Sequence, residues 1–516
     1  MSVLIASTLQ QAVRRHQQGE VQEAIRLCRN VLALEPRQTD AMNLLGVALA
    51  QAGQVKEAEK HLRQALALRP RTPPYLVNLG SVLVTQRRFA DAVPVFREAT
   101  RLQPDLAEAW SSLGNALREL GKLDQAEEAC RKALQVNPGF GEAHANLGNA
   151  LRQLGRAREA ADCYGAALRS TPATVDLLMN YNEAMLALGD YEAAERLARE
   201  ALRLAPADPL ARYAIATFCL ISGRDAEGWA MFEARDELPE IKRRSLSMPR
   251  WTGEATQAPI LVHAEQGVGD TIQFCRFVAE AAKLTRVILE APPALHRLFE
   301  TLDGPEAIVS PLDPPPPVAA HLPLMSLPFR LGIDRSRLAE TTPYLSADPA
   351  LRERWRARLA EAPGRRIGIA WAGNPAYLKD HSRSIPFALL APLLAAPDTC
   401  FVSLQKGDAR AQIPAGAPIR DWTDEIGDFA DTAALVAELD LVVSVDTAVA
   451  HLAGALGHPV WLLNRFNPDW RWGLGTDDSI WYPTLRQFRQ PGPEDWPAVI
   501  AAVVDALDTF GRRVGA

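Results

Sequence analysis

The chain has 516 residues, 48% hydrophobic and 23% charged, with a formal net charge of −6. That length exceeds a single core and predicts two or three globular domains, and the acidic balance excludes a global pull toward nucleic acid or anionic membrane. Six scattered cysteines (Cys28, Cys130, Cys163, Cys219, Cys275, Cys400) form no C-x-x-C pair, which argues against zinc and disulfides and fits a reducing cytoplasm. The start SVLIASTLQQ lacks a signal-peptide layout, and no apolar run is long enough to cross a bilayer. A cytoplasmic protein with no nucleic-acid partner and no membrane span is expected.

Prolines recur every 34 residues, at Pro36, Pro70, Pro104, Pro138, Pro172 and Pro206. Twelve residues before them stand Ala24, Ala58, Ala92, Ala126, Ala160 and Ala194; five before stand Val31, Ala65, Ala99, Ala133, Ala167 and Ala201. Gly46, Gly80, Gly114 and Gly148 lie twenty-four before four of the prolines. Small residues let two helices approach closely, and proline ends the second helix because it lacks an N–H and clashes with the preceding turn. Leu45, Leu113, Leu147, Phe96 and Tyr164 fill the seam. The pattern resembles the tetratricopeptide repeat: six units over about 5–208, then a degraded seventh with Gly223, Trp229 and Phe232. A solenoid over 5–235 with a concave face is expected.

On that face Asn78, Asn146 and Asn180 share one repeat position, and Asn115 and Asn149 share another three residues on, on the same side of the helix. An amide both donates and accepts, so such a column can pair with an extended peptide. A similar asparagine ladder lines the repeats of the nucleocytoplasmic O-GlcNAc transferase. Two readings stay open: a groove for a protein or peptide acceptor, or a structural spacer or dimerisation surface.

Residues 236–257 read as a polar linker carrying Glu237, Glu240, Lys242, Arg243, Arg244 and a packing Trp251. Residues 259–263 read as a strand, followed by Glu265-Gln266-Gly267-Val268-Gly269-Asp270 and a helix with Ile272, Phe274, Phe277, Val278 and Ala281 at helical spacing. Ile272 occupies the third glycine position of a dinucleotide fingerprint, and no Gly-Lys-Ser/Thr follows. Glycines here let the backbone come close to a ligand. Asp270 is either the helix cap or a general base at the sheet's carboxyl end. Strands over 287–290 and 307–310, a rigid proline run over 313–317 and residues 321–327 complete a half spanning 258–345.

A second half, 346–516, begins with a charged helix over 351–360 and a strand over 366–371. A polar loop holds Arg383 and Ser384, and a strand over 400–404 ends in Gln405 and Lys406. Residues 441–445 (LVVSV) read as a buried strand, Asp446 and Thr447 as N-cap residues, and 448–456 as a helix stopped by Gly457 and Pro459. A strand feeding a helix leaves the first N–H groups beyond the strand's carboxyl end, where a diphosphate fits and where ligands of open α/β sheets sit. Arg383 and Lys406 on neighbouring loops supply the cations. An ordinary βα unit without ligand is the alternative. Residues 460–463 read as a further strand. His451 is either packed or a ligand contact; Trp470 and Trp472 read as packing, and Asp477-Asp478 as a solvated turn rather than a metal pair. The final helix, 497–510, is expected to cross back to the first half.

Residues 258–490 resemble a GT-B glycosyltransferase, near the family that includes the ADP-heptose heptosyltransferases. Gly269-Asp270, Arg383-Ser384-Ile385-Pro386 and Asp446-Thr447-Ala448-Val449-Ala450-His451 carry the resemblance. It implies that Asp270 acts as base, that Arg383 meets the donor phosphate, and that Asp446, Thr447, Ala448 and His451 hold diphosphate and ribose. Ala448 replaces the family's usual glycine, and Arg383 its common lysine. Repeats joined to Trp-x-Gly-Glu, E-Q-G-x-G-D and D-T-A-V-A-H are also similar to bacterial repeat-containing glycosyltransferases, some of which modify flagellin. The implied architecture is an all-α tetratricopeptide-repeat solenoid followed by an α/β GT-B domain of two Rossmann-like halves. The implied activity is inverting, metal-independent sugar transfer from a nucleotide-sugar to a protein presented by the repeats, without a cofactor. A glycan or lipid-oligosaccharide transferase of heptosyltransferase type, and a non-catalytic adaptor, are the alternatives.

Overall fold

The computed structural model describes residues 2–510 other than 240, 242, 243, 363, 378 and 379. Glu240, Lys242 and Arg243 of the linker therefore lie outside the described residues, as do Leu378 and Lys379 of the polar loop. The chain divides into two compact units, Met1–Pro206 and Ala207–Ala516.

The first unit is a helical repeat array. Its pairs are Ser2–Gln17 with Val21–Leu34, Thr39–Gln51 with Val55–Leu68, Pro73–Thr85 with Phe89–Leu102, Ala107–Glu119 with Leu123–Val136, Gly141–Gln153 with Ala157–Ser170, and Val175–Ala187 with Tyr191–Leu204. The periodic alanines, Ala24 through Ala194, have no exposed surface. The periodic glycines have a steric cause. A Cβ on Gly46, Gly80, Gly114 or Gly148 would come within 2.5, 2.4, 2.3 or 2.7 Å of Leu62, Phe96, Cys130 or Tyr164, the residue sixteen places further on. Each glycine thus makes room for the side chain facing it, a large one in three of the four pairs. A second period lies in the turns: Gly19, Gly53, Gly121, Gly155 and Gly189 are all left-handed, and Arg87 holds the same place at φ 59°. The Trp110 indole N–H donates to the Pro104 carbonyl, and His144 Nε2 meets the Pro138 carbonyl, both at 2.9 Å, so one helix position is tied to the periodic proline in successive repeats.

The second unit opens with the helices Pro209–Ile221 and Asp225–Phe232, the pair that continues the repeat pattern in sequence. Their apolar side chains join the α/β core. Trp229 packs edge-on to Trp470 at 5.6 Å and to Phe274 at 6.1 Å, and Phe232 packs on Trp470 at 5.6 Å. Two parallel sheets follow. β1 (Ile260–His263), β2 (Val287–Glu290), β3 (Pro305–Val309) and β4 (Ala320–Pro323) lie in the order β3-β2-β1-β4. β5 (Arg365–Ala370), β6 (Thr399–Ser403), β7 (Ile419–Arg420), β8 (Leu441–Val445), β9 (Val460–Asn464) and β10 (Leu485–Arg489) lie in the order β10-β9-β8-β5-β6-β7. β8 is buried throughout, as a central parallel strand must be, and its run of Leu, Val and Val suits that place.

In the larger sheet the winding reverses between β5 and β8, which pair from Ile367–Leu441 to Ala370–Ser444. Their carboxyl ends bound the crevice where such sheets bind ligands. The helix Trp496–Thr509 corrects one expectation. It does not cross back: Trp496, Val499, Ile500, Val503 and Leu507 share a core with Ile367, Phe401, Leu441 and Trp461 and cover the larger sheet. β10, unread in the sequence, widens that sheet and leaves an apolar face that this helix fills. Trp251 is buried and donates its N–H to the Glu254 carbonyl at 2.9 Å. No helix among the described residues is long and apolar enough to span a membrane.

Candidate functional site

At the reversal point β8 feeds the helix Ala448–Ala455, whose N-cap residue, Thr447, is fully extended at φ −141°. Its hydroxyl meets Ser444 Oγ at 3.1 Å and does not cap the helix, so the first-turn N–H groups lack a side-chain cap. Arg383 lies beside them: its Nη1 donates to the Asp446 carbonyl and its Nε to Asp380 Oδ1, both at 2.9 Å. Asp380 also accepts Ser384 Oγ at 2.8 Å, and Ser384 Oγ accepts the Gly373 N–H at 2.9 Å. A Cβ on Gly373 would sit 2.3 Å from Asp380 and 2.5 Å from Arg383, so only glycine lets the strand end pass this close.

Gln405 is buried and fully occupied. Its Oε1 accepts the N–H groups of Trp371 and Ala372 at 3.0 and 2.8 Å, and its Nε2 donates to the carbonyls of Ala372 and Lys406. It fastens the loop after β5 to the loop after β6. Lys406 is exposed at the rim and donates to the Ile426 carbonyl.

Two further arginines belong to the crevice. Arg465, one residue past β9, donates to Ser382 Oγ at 3.0 Å. Arg471 is buried and donates to Asp270 Oδ1 at 2.5 Å, Asp469 Oδ1 at 2.7 Å and Gln273 Oε1 at 2.6 Å. Burial works against its charge, but Asp469 and Asp270 hold its pKa above the ordinary arginine value. Burial and the neighbouring Asp469 push Asp446 up, while Arg465 and Arg383 oppose the shift. Neither arginine had a motif in the sequence; the signal available was a basic residue just past a buried strand and a second between two tryptophans.

Asp270 reaches this crevice from the smaller sheet. Its Oδ2 accepts the Gly267 N–H at 2.9 Å, so it does cap its own helix, Val268–Phe274, while Oδ1 meets Arg471. The close approach runs through Gly269: a Cβ there would lie 3.0 Å from His451 Cδ2 and 3.4 Å from Ala448 Cα. The two helices thus meet with the glycine at the contact, and Asp270, Arg471 and the N-terminus of Ala448–Ala455 converge. His451 is buried, stacked 5.3 Å from Trp472, bonded through Nδ1 to the Tyr482 hydroxyl at 3.0 Å, and 3.9 Å from Asp446. Burial first, then the Arg471 charge, push its pKa down to about 3, so the ring is neutral. Glu265 is buried against Arg235, and Gln266 takes a left-handed φ of 58° where glycine is the easy residue.

In the repeats, Asn78, Asn115, Asn146, Asn149 and Asn180 are all half-buried. Asn78 donates to Asn43 at 2.9 Å and Asn146 to Ser111 Oγ at 3.0 Å, so each ties its repeat to the one before. Asn149 accepts the Tyr164 hydroxyl at 2.8 Å, and Asn115 accepts Arg118 at 3.0 Å. Each amide keeps further donor or acceptor capacity beyond these bonds.

The chain joins a helical repeat array to a unit of two parallel sheets. A family described as the Cilia and flagella-associated protein 70 C-terminal domain matches residues 4–240. Glycosyltransferase family 9 (heptosyltransferase) matches residues 427–467, the stretch holding β8, the Ala448–Ala455 helix, β9 and Arg465. Protein FlbA of Caulobacter vibrioides is 28% identical over 345 residues, 58% of this chain and 55% of that protein. The chain thus spans about half the length of the curated relative it matches. Among solved structures, pilF of Pseudomonas aeruginosa is 22% identical, with a TM-score of 0.36, over 40% of this chain and 95% of that one. The type IV pilus biogenesis factor PilW is 19% identical, with a TM-score of 0.38, over 40% and 97%. The family match over residues 4–240 and the 34-residue period make the N-terminal region tetratricopeptide-like, and a short stretch of the second unit is similar to family 9 glycosyltransferases.

Proposed function

We propose that the chain is a glycosyltransferase of GT-B architecture. Residues 258–345 and 346–516 are its two halves, and residues up to 235 form the repeat region. The observation that carries this reading is the convergence at the reversal point: Asp270, on the helix after β1, meets Arg471 and approaches the uncapped N-terminus of the helix Ala448–Ala455, and that helix lies inside the stretch similar to family 9. The donor is a nucleotide-sugar, bound without a metal or other cofactor, and the setting is the cytoplasm. Its diphosphate lies against the N–H groups of Thr447 and Ala448, with Arg383 beside them and Lys406 at the rim. An acceptor hydroxyl approaches Asp270, which takes its proton as the oxygen attacks the anomeric carbon. The carbon inverts and the nucleoside diphosphate leaves toward the arginines. The acceptor is a protein presented by the repeats, with flagellin the candidate, and the asparagine column supplies its backbone contacts.

A second reading draws on Asp270 itself, whose two oxygens are already engaged by Gly267 and Arg471. In a non-catalytic adaptor these bonds are the whole role of the residue. Thermal-shift measurements with ADP, UDP, GDP and CMP, on wild type and Arg383→Ala, test the donor site. One nucleotide should raise Tm in the wild type and not in the variant. No rise with any of them in folded protein overturns donor binding. A nucleotide-sugar that binds wild type and Asp270→Asn equally well, with neither protein turning it over, favours the adaptor.

A further inference from the structure

The end of the helix pair Pro209–Phe232 grips the loop that precedes Asp270. Arg235 has no exposed surface. Its Nη2 and Nε hold both oxygens of Glu265 at 2.6 and 3.1 Å, Nη2 donates to Ser326 Oγ at 2.8 Å, and Nη1 donates to Glu233 Oε1 at 3.0 Å and the Phe232 carbonyl at 3.2 Å. Glu265 takes one more bond, from the Met325 N–H at 3.1 Å. The next residue is the left-handed Gln266, and the one after it, Gly267, donates to Asp270. The loop is therefore pinned at Glu265 and tied to Asp270 at Gly267, with a strained residue between. Such a conformation persists where the surroundings impose it. The same helix pair also backs Asp270 from the other side. Trp229 and Phe232 pack on Trp470, whose ring lies 4.3 Å from the Arg471 guanidinium, and Arg471 bonds Asp270.

We propose that Arg235 is a positioning residue for Asp270: acting through Glu265, it fixes the loop 265–267 and so the place of the Asp270 carboxylate. The helix pair that reads in sequence as a last repeat is then part of the reaction machinery of the α/β unit. The role given to Asp270 rests on the transferase reading; the geometry does not. A guanidinium fork meets both oxygens of a carboxylate at once, and an ammonium group cannot. Arg235→Lys therefore keeps the buried charge while loosening the grip.

The test uses the full chain carrying Arg235→Lys, with Glu265→Gln as an independent second variant. Hydrogen exchange at Gly267 should quicken by about tenfold, while β8 and the Pro209–Ile221 helix keep their wild-type rates. Turnover is followed with whichever of the ADP-, UDP-, GDP- and CMP-sugars the wild type consumes. The kcat should fall by about a hundredfold with the donor KM held within about twofold, as a displaced reacting group requires. Unchanged exchange at Gly267, exchange rising evenly through the unit, or a loosened loop with unchanged kcat would each overturn the proposal. If the wild type consumes none of the four, the transferase reading falls, and the exchange experiment still decides whether Arg235 fixes the loop.

Discussion

In the repeats the charges stay outside. Arg88 reaches Glu59 and Arg156 reaches Glu127 across neighbouring repeats from partly exposed positions, and the interior is alanine, glycine, leucine and aromatic rings. In the α/β unit the charges go inside. Arg235, Arg276, Arg335 and Arg471 are all buried, and each is bonded to partners distant in the chain: Glu265, the Trp481 carbonyl, Asp225 and Asp270. The repeat array meets its packing demands locally, one neighbour at a time. The α/β unit spends its polar side chains on holding loops in place around a crevice, and a single change there is felt at long range.

The strongest way to break this contrast is to remove one buried charge. Arg471→Leu leaves Asp270 and Asp469 without their partner and should cost about 3 kcal/mol in urea unfolding followed by tryptophan fluorescence. That probe is selective, because Trp110 is the one tryptophan of eleven that lies in the first unit. Arg156→Leu, at the surface of the repeats, should cost far less, read from the repeat array's own transition by helical circular dichroism. An Arg471 variant as stable as wild type would show that the buried network does not hold the unit together.

Acid sharpens the contrast next. The folded pKa of His451 is depressed to about 3 by burial and by Arg471, against an ordinary value of 6.5. Below 6.5 the unfolded chain takes up a proton that the folded site refuses, so the contribution is present above that pH and is lost as pH falls toward 3. By pH 5 the loss from this one group is about 2 kcal/mol. His263, depressed to about 3, and His458, to about 4, act in the same direction. Tryptophan-detected stability should therefore fall between pH 7 and pH 5, and a flat profile would count against neutral buried rings. The smallest effect belongs to the repeats. Arg87→Gly should relieve the left-handed strain at φ 59° and stabilise the array by about 0.5 kcal/mol, read from helical circular dichroism on heating.

How legible each unit was follows from the same contrast. The 34-residue period exposed the helix pairs, and the sixteen-residue spacing of glycine and facing side chain explains why that period is so clear. Strand β8, with its helix and the Asp446–His451 motif, was legible because a buried apolar run followed by cap residues is a local signal. The allegiance of the helices 209–232 was not legible. Their sequence continues the repeat, and only Phe274 and Trp470, distant in the chain, draw them into the α/β core. The Asp270–Arg471 and Arg235–Glu265 pairs escaped for the same reason. Gln405 read as a donor contact because it follows a strand; its amide is taken up by backbone groups that no spacing reveals.

The placement of Trp229 and Phe232 also sets a schedule for the growing chain. Trp470, on which both rings close, is made long after them, and at roughly 5–20 residues per second the wait lasts roughly ten to fifty seconds. Through that interval two large aromatic side chains have no finished surface to cover them, while the preceding repeats can already stack. A nascent chain halted before residue 470 should therefore be held by chaperones at residues 225–232, and released once the second sheet is complete.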